Sequence, residues 1–338
     1  MEKQRALFVY SRISSFVKGD IEILEKSFRV TALSVDNSSK TKQFAALTKE
    51  FFYLIFNLLR FDFVFIWFAD YHSFLPVLFS KLFHKKVYLV IGGYDVCRVK
   101  NLGYGSFSNP VRGFMTLYSI KNATRNLCVS EYIERVVRAI APQSKRKIVY
   151  NGITFSDNQK YNFEDSVAKK ERMVLSVALS STSQSFFIKG VDRFIAVARA
   201  IPQIQFVIVG VDSKKMNHLI NSVPDNLSII PKVAHTALTS YYEKATVYCQ
   251  LSRKESFSLS LAEAMYFNCV PVISNSGGMI EVTGGMGKTV SGDIVDETAS
   301  AIINAMETGS SPLFRKRVEE KFTVQIRSEA LRNILLKR

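Results

Sequence analysis

Residues 173–212 read MVLSVALSSTSQSFFIKGVDRFIAVARAIPQIQFVIVGVD. An apolar run (MVLSVAL) gives way to a Ser/Thr-rich loop, then to a segment with helical spacing of its apolar residues (KGVDRFIAVARAI), then to a second apolar run (IQFVIVGVD). Runs of this kind, too apolar to leave one face in water, are buried strands, and a helix-like connection between two of them is the unit of a parallel sheet. The pattern continues downstream as helix MNHLINSV, strand LSIIPKV, helix LTSYYEKA, strand VYCQLS, helix SLSLAEAMYFN, strand VPVISNS, strand GKTVS and helix DETASAIINAME.

Upstream, the polar stretch Thr154 to Arg172 reads as a linker, and the first half shows the same alternation. There RALFVYS, RVTALSV, DFVFIWF, KVYLVIGG, NLCVS and KIVYNGI read as strands. Helices are expected over DIEILEKSF, around Lys42 to Leu59, around Leu75 to Phe83, over NPVRGFMTLYSIKNA and over EYIERVVRAI. The fold class is therefore α/β, with two doubly wound, Rossmann-like domains over 1–160 and 161–320 and a C-terminal helix over 321–338 that can pack back on the first domain. Ligands of open α/β sheets bind at the carboxyl ends of the strands, so a cleft between two such domains is the natural site.

Composition narrows the class. Cys97, Cys128, Cys249 and Cys269 form no C-x-x-C pair and no cluster at metal-ligand spacing, as expected of reduced thiols in a cytoplasmic protein. MEKQRALFVYS lacks a cleavage pattern and reads as a first strand rather than a signal peptide. The most apolar stretch, Phe51 to Phe68, is interrupted by Arg60 and Asp62, which disfavours a spanning helix. The net charge of +16 is uneven: residues 1–160 hold 24 Lys+Arg against 12 Asp+Glu, a surplus of 12, and the remainder 21 against 17, a surplus of 4. A basic, aromatic-rich first half (Phe51 to Phe56, Phe74 to Lys86) suits docking on the anionic inner face of a cell membrane, while a buried core accounts for the same apolar residues equally well.

The chemistry concentrates in RKESFSLSLAEAMYFNCVPVISNSGG, residues 253–278. Glu255 precedes, and Glu263 lies within, a helix expected to begin near Ser258. Eight helical residues rise about 12 Å, so two carboxylates can address two ends of an elongated ligand. Backbone amides of Phe257, Ser258 and Leu259, at a helix N-terminus, favour a phosphate group. Glu263 could then accept from ribose hydroxyls while Glu255 faces a sugar. A capping Glu255 and a solvated Glu263 are the plain alternative.

This segment resembles the E-x7-E signature of family 4 glycosyltransferases, with the flanking E-A-M, the P-V-I strand and a Gly-Gly followed by Glu281. Lys189-Gly190 is similar to the family's K-G, VIVGVD to its later strand, and CVSEYIERV and KIVYNGI to segments closing its first domain. The resemblance implies a GT-B fold, two domains facing each other across a cleft, and a retaining, metal-independent hexosyltransferase using a UDP- or GDP-linked sugar with no cofactor. It implies a glycan or lipid-linked acceptor in cell-surface polysaccharide or lipopolysaccharide assembly, and no nucleic acid. Lys189 would pair with the donor diphosphate, Glu263 hold the ribose and Glu255 contact the sugar. The implied donor-binding set is Lys189, Arg253, Glu255, Ser256, Phe257, Ser258, Leu259 and Glu263, with Glu255 and Asp95 catalytic. Asp95, after the strand ending in Gly92-Gly93, is expected to orient or deprotonate an acceptor hydroxyl or else to cap a turn. His72 reads as a weaker candidate, and Ser11 to Gly19, with Arg12 and Lys18, as a loop that could approach the diphosphate. Where the family has G-R this chain has Ala178-Leu179, so Arg253 or Lys254 would have to supply the second cation. No D-x-D metal motif occurs. The rival readings are a sugar-nucleotide epimerase of the same architecture and a basic nucleic-acid-binding protein.

Overall fold

A computed structural model of the chain describes residues 3–35, 40–154, 162–168, 170–220 and 222–336. It divides into two units, Met1–Gly152 with Val324–Arg338, and Ile153–Thr323.

The first unit is built on six strands, β1 (Arg5–Tyr10), β2 (Arg29–Ser34), β3 (Phe63–Trp67), β4 (Lys86–Ile91), β5 (Arg125–Cys128) and β6 (Arg146–Ile148). They form one parallel sheet in the order β2-β1-β3-β4-β5-β6. All five residues of β3 are buried, which is why it reads as a continuous apolar run and not as an alternation. The helix Val324–Leu335 belongs to this unit and packs on the helix Ser15–Ser27. Its anchor is Arg327, which donates through Nε and Nη2 to the two oxygens of Asp20, both at 2.6 Å, and through Nη1 to the carbonyls of Val149 and Tyr150 at 3.0 and 2.8 Å. Trp67 Nε1 donates to the same carboxylate at 2.8 Å, and its ring lies 5.5 Å from the guanidinium.

The second unit has β7 (Glu171–Ser180), β8 (Gln205–Val211), β9 (Leu227–Ile230), β10 (Ala245–Gln250), β11 (Val270–Ser274) and β12 (Lys288–Val290) in the parallel order β12-β11-β10-β7-β8-β9. Counted within the unit this is 3-2-1-4-5-6, with the strand order reversing between β7 and β10.

Local details differ from the sequence reading. The expected helix MNHLINSV does not form over its described residues: a short helix, Ser213–Met216, ends at its first residue and a turn follows over 217–219, residue 221 lying outside the described ones. The expected linker contains a helix, Phe163–Ala168, and β7 begins inside it at Glu171; residues 155–161 and 169 lie outside the described ones. Lys18 and Gly19 fall within the helix Ser15–Ser27, capped by Ser14, so Ser11 to Gly19 is not an open loop, and Lys18 makes an exposed pair with Glu22. Among the described residues no helix is long and apolar enough to cross a membrane.

Two groups make the first unit's stability testable. Removing one partner of a buried ion pair strands the other charge, so Arg327→Met is expected to cost about 3–5 kcal/mol in urea unfolding. Glu50 is buried with no hydrogen-bond partner among the described residues, and burial raises its carboxyl to about 9 from 4.5. The folded chain then holds a proton that the unfolded chain releases between those values, so this group's contribution falls as pH rises from about 4.5 to about 9. Glu50→Gln should flatten that fall in thermal unfolding followed against pH.

Candidate active site

The reversal between β7 and β10 sends their following helices to opposite faces of the second unit's sheet, and the loops after these two strands come together at the carboxyl edge. Gly190, in the left-handed region at φ +69°, lets them meet: a Cβ there would lie 2.0 Å from the carbonyl oxygen of Leu251. Backbone bonds fasten the contact, with Arg253 N donating to Ile188 O at 2.8 Å and Arg193 Nη1 to Leu251 O at 3.1 Å.

On this frame Lys189 Nζ donates to Glu255 Oε2 at 2.7 Å. Glu255 Oε2 also accepts from Gln250 Nε2 at 2.9 Å, and the Ser256 amide donates to its Oε1 at 3.3 Å. Gln250, the buried last residue of β10, accepts in turn from Ser258 Oγ at 2.6 Å. One side-chain amide thus sets both the first carboxylate and the start of the next helix.

That helix is Leu259–Tyr266, beginning next to Ser258 as expected; Glu255 stands before it, so only part of the separation from Glu263 is helical rise. Ser258 is its N-cap, accepting from Leu261 N at 3.3 Å, and it holds φ +78°, a conformation that glycine adopts without strain and serine does not. Phe257 is buried with its ring 5.2 Å from that of Phe322, so it is the backbone around Phe257, Ser258 and Leu259 that serves the loop. Gly278 closes the other side: its amide donates to Glu255 O at 3.1 Å, and a Cβ would lie 2.1 Å from Ser256 O.

Glu263 is held at both oxygens. Tyr242 OH, in the core, donates to Oε2 at 2.9 Å, and His235 Nε2 lies 2.8 Å from Oε1 at the surface. Glu263 is therefore not a solvated helix residue. The hydrogen bond to Glu263 raises the pKa of His235. A carboxylate offers about four lone-pair positions, so acceptor capacity remains for a further donor.

Arg253 is differently engaged. Its two terminal nitrogens donate to the two oxygens of Asp192, each at 2.7 Å, and Nη1 also to Phe187 O. It clamps the loops together, and its charge is already paired. Leu179, at the position of the missing cation, is 59% exposed, and Lys254 is exposed as well.

In the first unit Asp95 is completely buried after β4. Its Oδ2 accepts from the amides of Ala69 and Gly92, both at 3.1 Å, and its Oδ1 from Gly93 at 2.7 Å, while burial raises its pKa to about 6. That is a turn anchor joining the ends of β3 and β4. The expectation that Asp95 meets an acceptor hydroxyl gives way to the turn-capping alternative, because its carboxylate faces amides and no solvent. His72 is a core histidine bonded to Trp67 O at 2.7 Å, with its pKa lowered by burial. Beside them an unanticipated cluster projects further out: Arg112 pairs with Asp70 through Nε at 2.6 Å and Nη2, and lies over the rings of Tyr71 and Tyr94 at 5.3 and 5.0 Å.

Comparison with known proteins fits this placement. Residues 158–316 match the family model described as Glycosyl transferases group 1. The match lies within the second unit and takes in the loops just described. No curated protein sequence matches the chain significantly. Among solved structures, sucrose-phosphate synthase from Thermosynechococcus elongatus superposes with a TM-score of 0.80 at 15% identity, covering 98% of both chains. Anabaena Alr3699/HepE in complex with UDP-glucose gives 0.71 at 14%, covering 98% of this chain and 99% of that one. An alpha,alpha-trehalose-phosphate synthase (UDP-forming) from Burkholderia vietnamiensis gives 0.67 at 11%, covering 98% and 99%. The fold is thus the two-sheet GT-B type.

Three residues of the second unit's site went unread in the sequence: Gln250, Tyr242 and His235. A polar side chain ending a buried strand at a reversal point was the available signal for Gln250, while Tyr242 and His235 sit in a helix whose pattern spoke only of packing. In a proton-resonance titration His235 is expected to titrate above its ordinary 6.5, and Glu263→Gln to return it toward that value.

Proposed function

We propose that the chain is a retaining glycosyltransferase of family 4 type, transferring a hexose from a nucleotide diphosphate sugar to a glycan or lipid-linked acceptor in cell-surface polysaccharide or lipopolysaccharide assembly. What carries the reading is the convergence of Lys189, Glu255 and the Ser258-capped helix start at the β7/β10 reversal, with Glu263 further along the same helix. The group 1 match covers these residues.

In this reading the diphosphate takes over the Lys189 ammonium and lies against the first-turn amides of the helix Leu259–Tyr266, whose N–H groups have no partner within the helix by rule. Glu255, released from Lys189 but still tethered by Gln250, turns to the sugar. Glu263, its carboxylate braced by Tyr242, accepts from the ribose hydroxyls. Charge developing on the leaving nucleotide is met by a fixed cation and fixed dipoles instead of a divalent ion, so their alignment before reaction lowers the barrier. Arg253 contributes by holding the loops through Asp192, which leaves Lys254 as the candidate second cation. HepE is known in complex with UDP-glucose and with UDP, which makes a UDP-sugar the first donor to try.

The test is a thermal-shift screen of UDP-, GDP- and ADP-sugars, in which a donor at about 100 times its dissociation constant should stabilise the chain by about 2.7 kcal/mol. Loss of hydrogen bonds to a charged group costs about 1.5–3 kcal/mol, so Glu263→Ala should weaken nucleotide binding roughly 10- to 100-fold. Glu255→Gln should keep nucleotide affinity and slow transfer. The reading fails if no nucleotide sugar stabilises the chain, and the role of Glu255 fails if Glu255→Gln transfers at the parent rate.

A further inference from the structure

The helix Lys40–Asn57 is apolar on two sides. Leu54 turns inward and is fully buried, and Glu50 is buried on the same side. Phe44, Phe51, Phe52, Ile55 and Phe56 recur at the spacing of a single opposite face, and that face is in solvent: Phe44 is 76%, Phe52 54% and Phe56 72% exposed. The stripe runs on into the turn Leu58–Arg60 through Leu59, 62% exposed. It broadens onto the neighbouring helix Tyr71–Leu82, which offers Leu78 and Leu82 and is joined to it by Phe51 and Phe79, whose rings are 5.4 Å apart. An exposed aromatic and aliphatic surface of this extent is a binding surface or an aggregation hazard.

Charge selects the occupant. Lys49, Arg60, Lys81 and Lys85 border the apolar stripe. Arg60, Lys81 and Lys85 donate to neutral oxygens, Asn57 Oδ1 at 3.0 Å, Asn122 Oδ1 at 2.8 Å and Leu59 O at 3.1 Å, so hydrogen bonding positions these cations without cancelling their charge. The only acid in either helix, Glu50, is the buried one. Insertion into the headgroup region needs apolar side chains at a rim of uncompensated cations, and neither signal alone holds a protein firmly on a bilayer. With no helix among the described residues able to span a membrane, the contact would be peripheral.

We propose that this face docks the first unit on an anionic phospholipid bilayer, Phe44, Phe52, Phe56, Leu59 and Leu82 entering the interface while Lys49, Arg60, Lys81 and Lys85 meet lipid phosphates. The inference rests on and extends the lipid-linked-acceptor reading by naming a surface for the membrane, and vesicle binding tests it separately from nucleotide binding.

The full chain should co-sediment with phosphatidylcholine vesicles containing phosphatidylglycerol, bind phosphatidylcholine alone much more weakly, and lose binding as salt is raised. Phe52→Ser/Phe56→Ser should reduce that binding by about tenfold or more while leaving donor-induced thermal stabilisation in place. A second variant, Phe56→Trp, should shift its emission to the blue on the anionic vesicles, since the one native tryptophan, Trp67, is already buried. The proposal is overturned if the parent chain ignores the anionic vesicles or if the double variant binds them as well as the parent. It is overturned too if the parent is a dimer in sedimentation velocity that the double variant turns into monomers, which would make the face a self-association surface. Failure of donor stabilisation with vesicle binding intact would sink the transferase reading alone.

Discussion

The close approach of two loops at the β7/β10 reversal is the constraint on which the candidate site depends. A parallel sheet splays its loops apart wherever successive crossovers leave on opposite faces, and something must then bridge the gap. Here Gly190 admits the Leu251 carbonyl where any Cβ would collide with it. Arg253 spans from Asp192 to the Phe187 carbonyl, and Arg193 reaches Leu251 O. Only because these contacts fix the separation can Lys189, on one loop, sit 2.7 Å from Glu255 on the other. Two cations at the same loop contact therefore serve different ends. The bidentate guanidinium of Arg253 satisfies a planar carboxylate and stays put, while the ammonium of Lys189 makes one bond that an anion can replace.

The polar network behind the site is organised for rigidity. Gln250 ties Glu255 to Ser258, Tyr248 donates to Ser260 Oγ at 2.8 Å, and Ser274 Oγ donates to Ser252 O at 2.7 Å. These groups are buried or nearly so, and in such surroundings a satisfied network specifies one geometry whereas a broken one is costly. Ser258 carries an additional cost, a non-glycine residue at φ +78°, of the order of 1–3 kcal/mol. Its hydroxyl offsets that cost by capping the helix and bonding Gln250, two contacts that a glycine could not make. Serine at this position thus exchanges the conformational ease of a glycine for a fixed turn.

Much of this was legible in the sequence, and the reasons separate cleanly. The central strands announced themselves because parallel strands buried on two faces read as apolar runs, as β3 does and as β8 does after its exposed first residue, Gln205. Lys189 stood out through its K-G pair and Glu255 and Glu263 through their E-x7-E spacing, and the structure brings Lys189 onto Glu255. The partners of Glu263 did not stand out: Tyr242 and His235 come from a helix more than twenty residues before Glu263, and nothing local marks a side chain whose purpose is met only across a fold. Asp95 shows the opposite failure. A carboxylate after a strand reads the same whether it faces an acceptor or folds back on Gly92, Gly93 and Ala69, and only the three amide bonds decide.

The segment from Phe44 to Leu59 resisted sequence reading for a related reason. A helix apolar on one face is unambiguous, but one apolar all round is satisfied either by complete burial or by a nonaqueous neighbour, and periodicity cannot choose between them. The structure divides the segment by face, with Leu54 and, in the turn that follows, Leu58 buried and Phe44, Phe52 and Phe56 in solvent. Glu50 sharpens the contrast. A carboxyl group with no partner among the described residues occupies the buried face, while phenylalanines occupy the exposed one, an inversion that stability alone would not favour. Residues placed against their own transfer preferences answer to a constraint outside the folded core, and for an exposed apolar stripe bordered by cations that constraint is what lies on the other side of the surface.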